Sequence, residues 1–224
     1  MKKLSRNGNN WIILLVLLSI ACGKKAPVQQ QLSVHQPSLP YMGPHTISER
    51  EENGVLMIDT IYHTIPPFSF TDQDGKTVTE KTVEGKVYLA DFFFTTCPSI
   101  CPKMGVTLQL VQEKLKNENQ FMILSHSIDP EHDSPTVLKE YAAKLNADEN
   151  QWKFLTGNRD SIYTICEESY MAFAYEDANT EGGFVHSGFL VLIDQNRHIR
   201  GAYDGTRAEL ADSIVADVKR LLKK

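Results

Sequence analysis

Apolar residues follow different rhythms along the chain, and each rhythm predicts a different element. Trp11 to Ile20 is an apolar stretch, interrupted only by Ser19, behind the basic residues Lys2, Lys3 and Arg6. At about ten residues it falls short of the roughly 20 that a membrane-spanning helix needs, and its basic start makes residues 1–22 an export signal. Residues 23–53 have no sustained period and carry Pro27, Gln29 to Gln31, Pro37, Pro40 and Pro44 among polar residues, the composition of a flexible tether. Folded-domain patterning occupies residues 54–224.

Within the domain, Pro67 to Thr71 and Thr77-Val78 flank the turn-rich Asp72-Gln73-Asp74-Gly75 and predict a hairpin. Val87 to Phe94 is almost continuously apolar, as expected of a strand buried on both faces. Met104, Leu108, Val111 and Leu115 share a helical stripe, and Phe121 to Ser125 is a second buried strand, so this strand–helix–strand unit predicts a parallel pair. Ser134-Pro135 opens a helix with Leu138, Tyr141, Ala142 and Leu145 on its buried side. Another helix starts near Arg159, with Ile162, Ile165, Cys166 and Ser169 on one face. Phe184 to Ile193 and His198 to Tyr203 read as strands around the turn Asp194-Gln195-Asn196. Thr206 and Glu209 have capping-box spacing for a last helix bearing Leu210, Ile214, Val218 and Leu221. This order of elements fits an α/β, thioredoxin-like domain: a central mixed sheet flanked by helices, with an N-terminal hairpin.

Charge narrows the possible partners. The net charge is −5, and losing the N-terminal basic residues makes the remainder more acidic, so there is no footprint for nucleic acid. Four cysteines, at 22, 97, 101 and 166, are too few for a disulfide scaffold. Leu18-Ser19-Ile20-Ala21-Cys22-Gly23 resembles the lipobox of bacterial lipoproteins, which implies lipidation at Cys22 and an extracytoplasmic, membrane-anchored domain. Ser19 departs from the leucine usual at its position.

The close pair Cys97 and Cys101 sits where the Val87 strand runs into the Met104 helix. Unpaired N–H groups and the helix dipole at such a junction favour thiolate. Pro102 allows two geometries: a distorted helix from Pro98, or a helix that Pro102 opens with Cys97 in the loop before it. Either keeps the sulfurs near one another, so a disulfide and a shared soft metal ion are both open. A stable metal site wants a third ligand. His35, His45, His63 and His198 read as surface residues, whereas His126 and His132 flank Ser127 to Asp133 and could approach. His186 stands in the glycine-rich Gly182-Gly183-Phe184-Val185-His186-Ser187-Gly188, where the backbone can come close to another loop. Cys166 lies on a helical stripe and reads as a core cysteine.

Four separated stretches resemble the SCO/SenC family of copper proteins that serve cytochrome c oxidase assembly. Phe92 to Met104 is similar to its CxxxCP signature, Ser127 to Pro135 to its acidic DPxxDxP loop, Trp152 to Gly157 to its W-x-F-L-T-G strand, and His186 to Asp194 to its histidine-bearing segment. The resemblance implies that Cys97, Cys101 and His186 bind copper, that Asp129 and Asp133 shape the site or dock a partner, and that the partner is the copper-binding subunit of the oxidase. Ser99, where many members are acidic, and His126, where hydroxyl or aliphatic residues are usual, depart from the pattern.

Three functions compete on these residues. A copper metallochaperone uses all three ligands. A thiol-disulfide reductase acting on the oxidase copper-site cysteines needs only Cys97 and Cys101, one attacking and the other resolving. A peroxidase like the peroxiredoxins would want a threonine or serine and an arginine around the attacking thiol; Thr95 and Thr96 are present, but no matching constellation is evident.

Overall fold

The computed structural model describes residues 38–180 and 182–223. The signal segment 1–22 with Cys22, and residues 23–37 of the expected tether, lie outside the described residues. The rest of that tether is partly ordered: β1 (His45–Glu52) pairs antiparallel with β2 (Val55–Tyr62). The turn between them is Asn53-Gly54, both at positive φ (53° and 78°), the geometry that a tight two-residue hairpin turn requires. The proline-rich composition upstream obscured this strand.

The main sheet has seven strands in the order β11-β10-β5-β6-β7-β3-β4. β3 (Ser69–Asp72) and β4 (Thr77–Thr79) form the expected hairpin. β5 (Val87–Phe93) and β6 (Phe121–Ser127) are buried throughout and pair in parallel, and β7 (Trp152–Thr156) continues in parallel on β6. β10 (Phe189–Ile193) and β11 (Ile199–Asp204) add antiparallel on the other side. Helices α1 (Cys101–Leu115), α2 (Pro135–Lys144), α3 (Arg159–Thr164) and α4 (Ala211–Leu222) flank this mixed sheet, which is the thioredoxin-like arrangement expected. Ser134 caps α2 through a bond from Val137 N–H at 3.5 Å. A single turn of π-helix, Ile165–Ser169, extends α3 and buries Cys166 completely.

Two expectations need correction. The apolar run Phe184 to Ile193 is not one strand: it breaks at Ser187-Gly188, leaving β9 (Phe184–His186) paired with β8 (Ala174–Glu176) in a separate two-stranded sheet. The capping box at Thr206 does not form, because the Thr206 hydroxyl donates to Asp204 Oδ1 at 2.6 Å. A 3₁₀ turn at Ala208–Leu210 precedes α4 instead.

The chain enters the domain at one end of the sheet. Arg200, buried at 1% exposure, donates to the carbonyls of Leu39 and Pro40, lies over the Tyr41 ring and pairs with Asp194 Oδ2 at 2.7 Å. Ile199 pairs with Ile193 and Ile193 with Tyr88, so this strap grips the sheet beside the first residues of β5. Among the described residues no helix is long and apolar enough to cross a membrane.

Candidate metal and redox centre

The site is built at the opposite end, where β5 runs out. Cys97 N–H donates to Phe94 carbonyl at 3.2 Å, turning the chain, and Ile100 caps α1 so that Cys101 is its first residue and Pro102 falls in the first turn. The proline therefore opens the helix, where its missing N–H costs nothing, and Cys97 lies in the loop. Cys101 N–H, one of the donors a helix start leaves unpaired, points at Cys97 Sγ at 3.5 Å.

His186 arrives on the last residue of β9. Gly182, at φ +90°, makes the approach possible: a Cβ there would sit 3.0 Å from the Phe94 ring and 3.3 Å from Pro98. Behind the histidine, Gly205 N–H donates to Gly188 carbonyl and Thr107 Oγ1 to Gly205 carbonyl, both at 2.7 Å, tying this loop to α1. The imidazole packs edge-on to Phe94 with ring centres 5.8 Å apart. Its Nδ1 is 3.1 Å from Ser187 carbonyl, which can only accept, so Nδ1 carries the proton and Nε2 presents a lone pair. Nε2 stands 3.3 Å from Cys101 Sγ.

The donor atoms of Cys97, Cys101 and His186 all lie within 4.8 Å of one another. Donors sharing one ion through bonds of about 2.0–2.3 Å sit up to about 4.6 Å apart, so the trio fits a metal with little movement. Two sulfurs and one imidazole form a soft set, suited to copper or zinc over magnesium or calcium. Both cysteines are free thiols. Their proton affinities are driven apart: the hydrogen bond from Cys101 is the largest influence on Cys97 and holds it far below an ordinary thiol despite its burial. The same bond, with burial, pushes Cys101 up. Cys97 and His186 open onto a groove of about 350 Å³, whereas Cys101 faces inward.

A model of the SCO1/SenC family matches residues 59–223. An SCO1 protein homolog of Bacillus subtilis is 36% identical over 168 residues, covering 74% of this chain and 86% of the relative. The chain belongs to the SCO1/SenC family. A solved SCO1/SenC family lipoprotein from Bacillus anthracis superposes with a TM-score of 0.66 at 33% identity, covering 71% of this chain and 95% of that one. Bradyrhizobium japonicum ScoI, solved with copper bound, superposes at 0.61 with 28% identity over 71% of this chain and 99% of its own.

The acidic loop of this SCO domain divides its labour. Asp133 is fully buried and accepts from Ser127 Oγ at 2.5 Å, from Thr95 N–H at 3.1 Å, from the Thr95 hydroxyl and from His132 Nδ1 at 2.9 Å. It thus pins the segment just before Cys97 to β6. Asp129 is half-buried, and its carbonyl accepts from the N–H groups of His132 and Asp133, closing the loop; burial raises its carboxyl pKa. His132 stays half-exposed beside Asp133, outside the trio.

His126 is not brought to the site either. It points through the other face of the sheet into a cage of Phe70, Phe92 and Tyr170, with ring centres 5.1–5.5 Å away. Neither ring nitrogen has a partner, and burial lowers its pKa to about 4. Burial raises the Cys166 thiol to about 12, consistent with an inert core position. One residue that sequence reading passed over stands near the thiols. Asp91, mid-strand in β5 and 3% exposed, accepts from Ser125 Oγ at 2.5 Å, and Ser125 in turn accepts from Trp152 Nε1 at 2.8 Å. Burial raises its carboxyl to about 7. A polar residue within an apolar run was the available signal.

Proposed function

We propose that this protein is a copper chaperone. It takes a copper ion on Cys97, Cys101 and His186 and passes it to the copper-binding subunit of cytochrome c oxidase during assembly. The observation that carries this reading is the convergence of two sulfurs and a proton-free Nε2 within 4.8 Å, from residues 85 or more positions apart in the case of the histidine. Relatives solved with copper bound, from Bradyrhizobium japonicum and yeast, support the choice of metal. Copper is cargo here, so the site must release it. Cys97 and His186 border an open groove, where an incoming partner's ligands can displace them one at a time. Asp133 shapes the loop, and Asp129 is left free to meet the partner.

The export signal, lipidation at Cys22 and the upstream tether would hold this domain on the extracytoplasmic side of a membrane. A lipoprotein relative of known structure favours the lipid anchor.

A second reading, a thiol-disulfide reductase acting on the partner's copper-site cysteines, is favoured by the split between the thiols. Cys97 is the better thiolate and borders the groove; Cys101 keeps its proton within. A relative described through a disulfide switch supports this chemistry. The deciding experiment titrates copper into the reduced protein and its His186→Ala variant. Bound copper per chain is measured together with sulfur-to-copper charge-transfer absorption. One copper per chain, weakened in the variant, supports the chaperone reading; equal binding by both defeats it.

A further inference from the structure

Strand β9 has a free edge beside the thiols. Ser187 N–H donates to Phe173 carbonyl and Asp177 N–H to Gly183 carbonyl, both at 2.9 Å, and Tyr175 stands opposite Val185. In an antiparallel pair, facing residues alternate between bonded and non-bonded positions, so Val185 spends its N–H and C=O on β8. Phe184 and His186, the non-bonded positions, turn theirs to the other edge. The sheet has two strands, and among the described residues no strand pairs with that edge.

The groove of about 350 Å³ next to it is lined by Phe94, Cys97, Ser99, Ile100, Thr180 and Phe184, with Val185 and His186. Its size falls in the range of about 300–1,000 Å³ typical of ligand sites. None of those side chains is an acid, lysine or arginine, so apart from the Cys97 sulfur the wall offers no fixed charge, and apolar and small side chains would bury well. The nucleophile on its wall is Cys97. An unpaired strand edge, an apolar wall and a reactive thiol fit a peptide added as a strand.

We propose that this groove is the docking site for an extended, cysteine-bearing segment of a partner protein. The segment pairs with the backbone of Phe184 and His186 and delivers its sulfur to Cys97. This rests on the reading that the site exchanges with partner thiols. With a partner disulfide, the Cys97 thiolate attacks one sulfur, the Cys97–partner bond forms as the partner's own S–S bond breaks, and the departing sulfur leaves as a thiolate that takes a proton from solvent.

The test uses the reduced, metal-free full chain carrying Cys101→Ser, which stops the reaction at the mixed disulfide. The rate of adduct formation at Cys97 is followed by mass spectrometry. Two disulfides of matched leaving group are compared: a five-residue peptide with cysteine between apolar residues, and hydroxyethyl disulfide, which has no backbone. The peptide should react at least tenfold faster. N-methylation of its alternate residues should abolish that advantage, as should Val185→Asp, which puts charge in the wall, or Ser99→Phe, which fills the groove. Equal rates for peptide and small disulfide overturn the docking site while leaving the exchange chemistry standing. An advantage that survives both N-methylation and a groove variant that folds also overturns it. If neither disulfide reacts, the exchange reading fails and the docking proposal fails with it.

Discussion

His186 Nε2 stands 3.3 Å from Cys101 Sγ, and its lone pair is free because the opposite ring nitrogen is committed to Ser187 carbonyl. One imidazole therefore touches the thiol that lies deeper in the fold. Replacing it with alanine leaves two sulfurs and a gap. Since even supporting contacts around a metal are worth 10–100-fold in affinity, His186→Ala should weaken copper binding by more than about 100-fold. Reduction of a small disulfide, which needs only the thiols, should change far less. Competition with a copper chelator and a disulfide assay on the same preparations check both halves.

Asp133 gathers donors from Thr95, Ser127 and His132. Asp133→Ala leaves the buried Ser127 hydroxyl and Thr95 N–H unanswered, at about 1–3 kcal/mol for each group stranded. We expect a lower melting temperature and, because Thr95 lies two residues before Cys97, weaker copper binding. Asp133→Asn keeps acceptors on one oxygen and should fall between. Thermal melts of the metal-free protein, with copper titrations, test this.

His126 sets an acid limit. Its folded pKa of about 4 lies below the ordinary value of 6.5, so the unfolded chain takes up the proton first. The stability of the neutral ring is full above pH 6.5 and is lost as pH falls toward 4, up to roughly 3 kcal/mol. His126→Leu should therefore lose less stability between pH 7 and pH 4.5 than the parent. Urea melts at the two pH values measure the difference, which should vanish if the ring finds a partner in solution.

Asp91 works in the opposite direction. Its folded pKa, about 7, lies above the ordinary 3.8, so the neutral acid is favoured in the fold. Its contribution is complete below pH 4 and is lost as pH rises through 7, up to roughly 4 kcal/mol. Asp91→Asn keeps an acceptor for Ser125 and removes the titration. Its stability should match the parent's near pH 4 and exceed it at pH 8, as followed by denaturant unfolding.

How far the chain's patterning reached depends on the range of each interaction. The strand Val87–Phe93, helix α2 behind Ser134-Pro135 and the nearness of Cys97 to Cys101 are local, set by neighbouring residues, and were legible. Pro102 admitted two helix starts, and only the finished turn at Phe94 and Ile100 selects one. The histidine could not be chosen by spacing, because its approach depends on Gly182 against Phe94 and on Gly205 against Gly188. Without the resemblance, His126 and His132 were equal rivals to one another, and the sheet separates them: one ring goes through the far face and the other stays beside Asp133. The break at Ser187-Gly188 was hidden because apolar residues continue on both sides of it. Thr206 showed the opposite failure, a correct local signal captured by a nearer acceptor, Asp204.

The strap gripped by Arg200 enters beside the first residues of β5, while the sulfurs stand beyond its last. Seven residues of strand, about 23 Å, separate the two ends. The grip of the buried guanidinium on the carbonyls of Leu39 and Pro40 therefore closes off the base of the sheet and leaves its reactive tip out of reach of the strap.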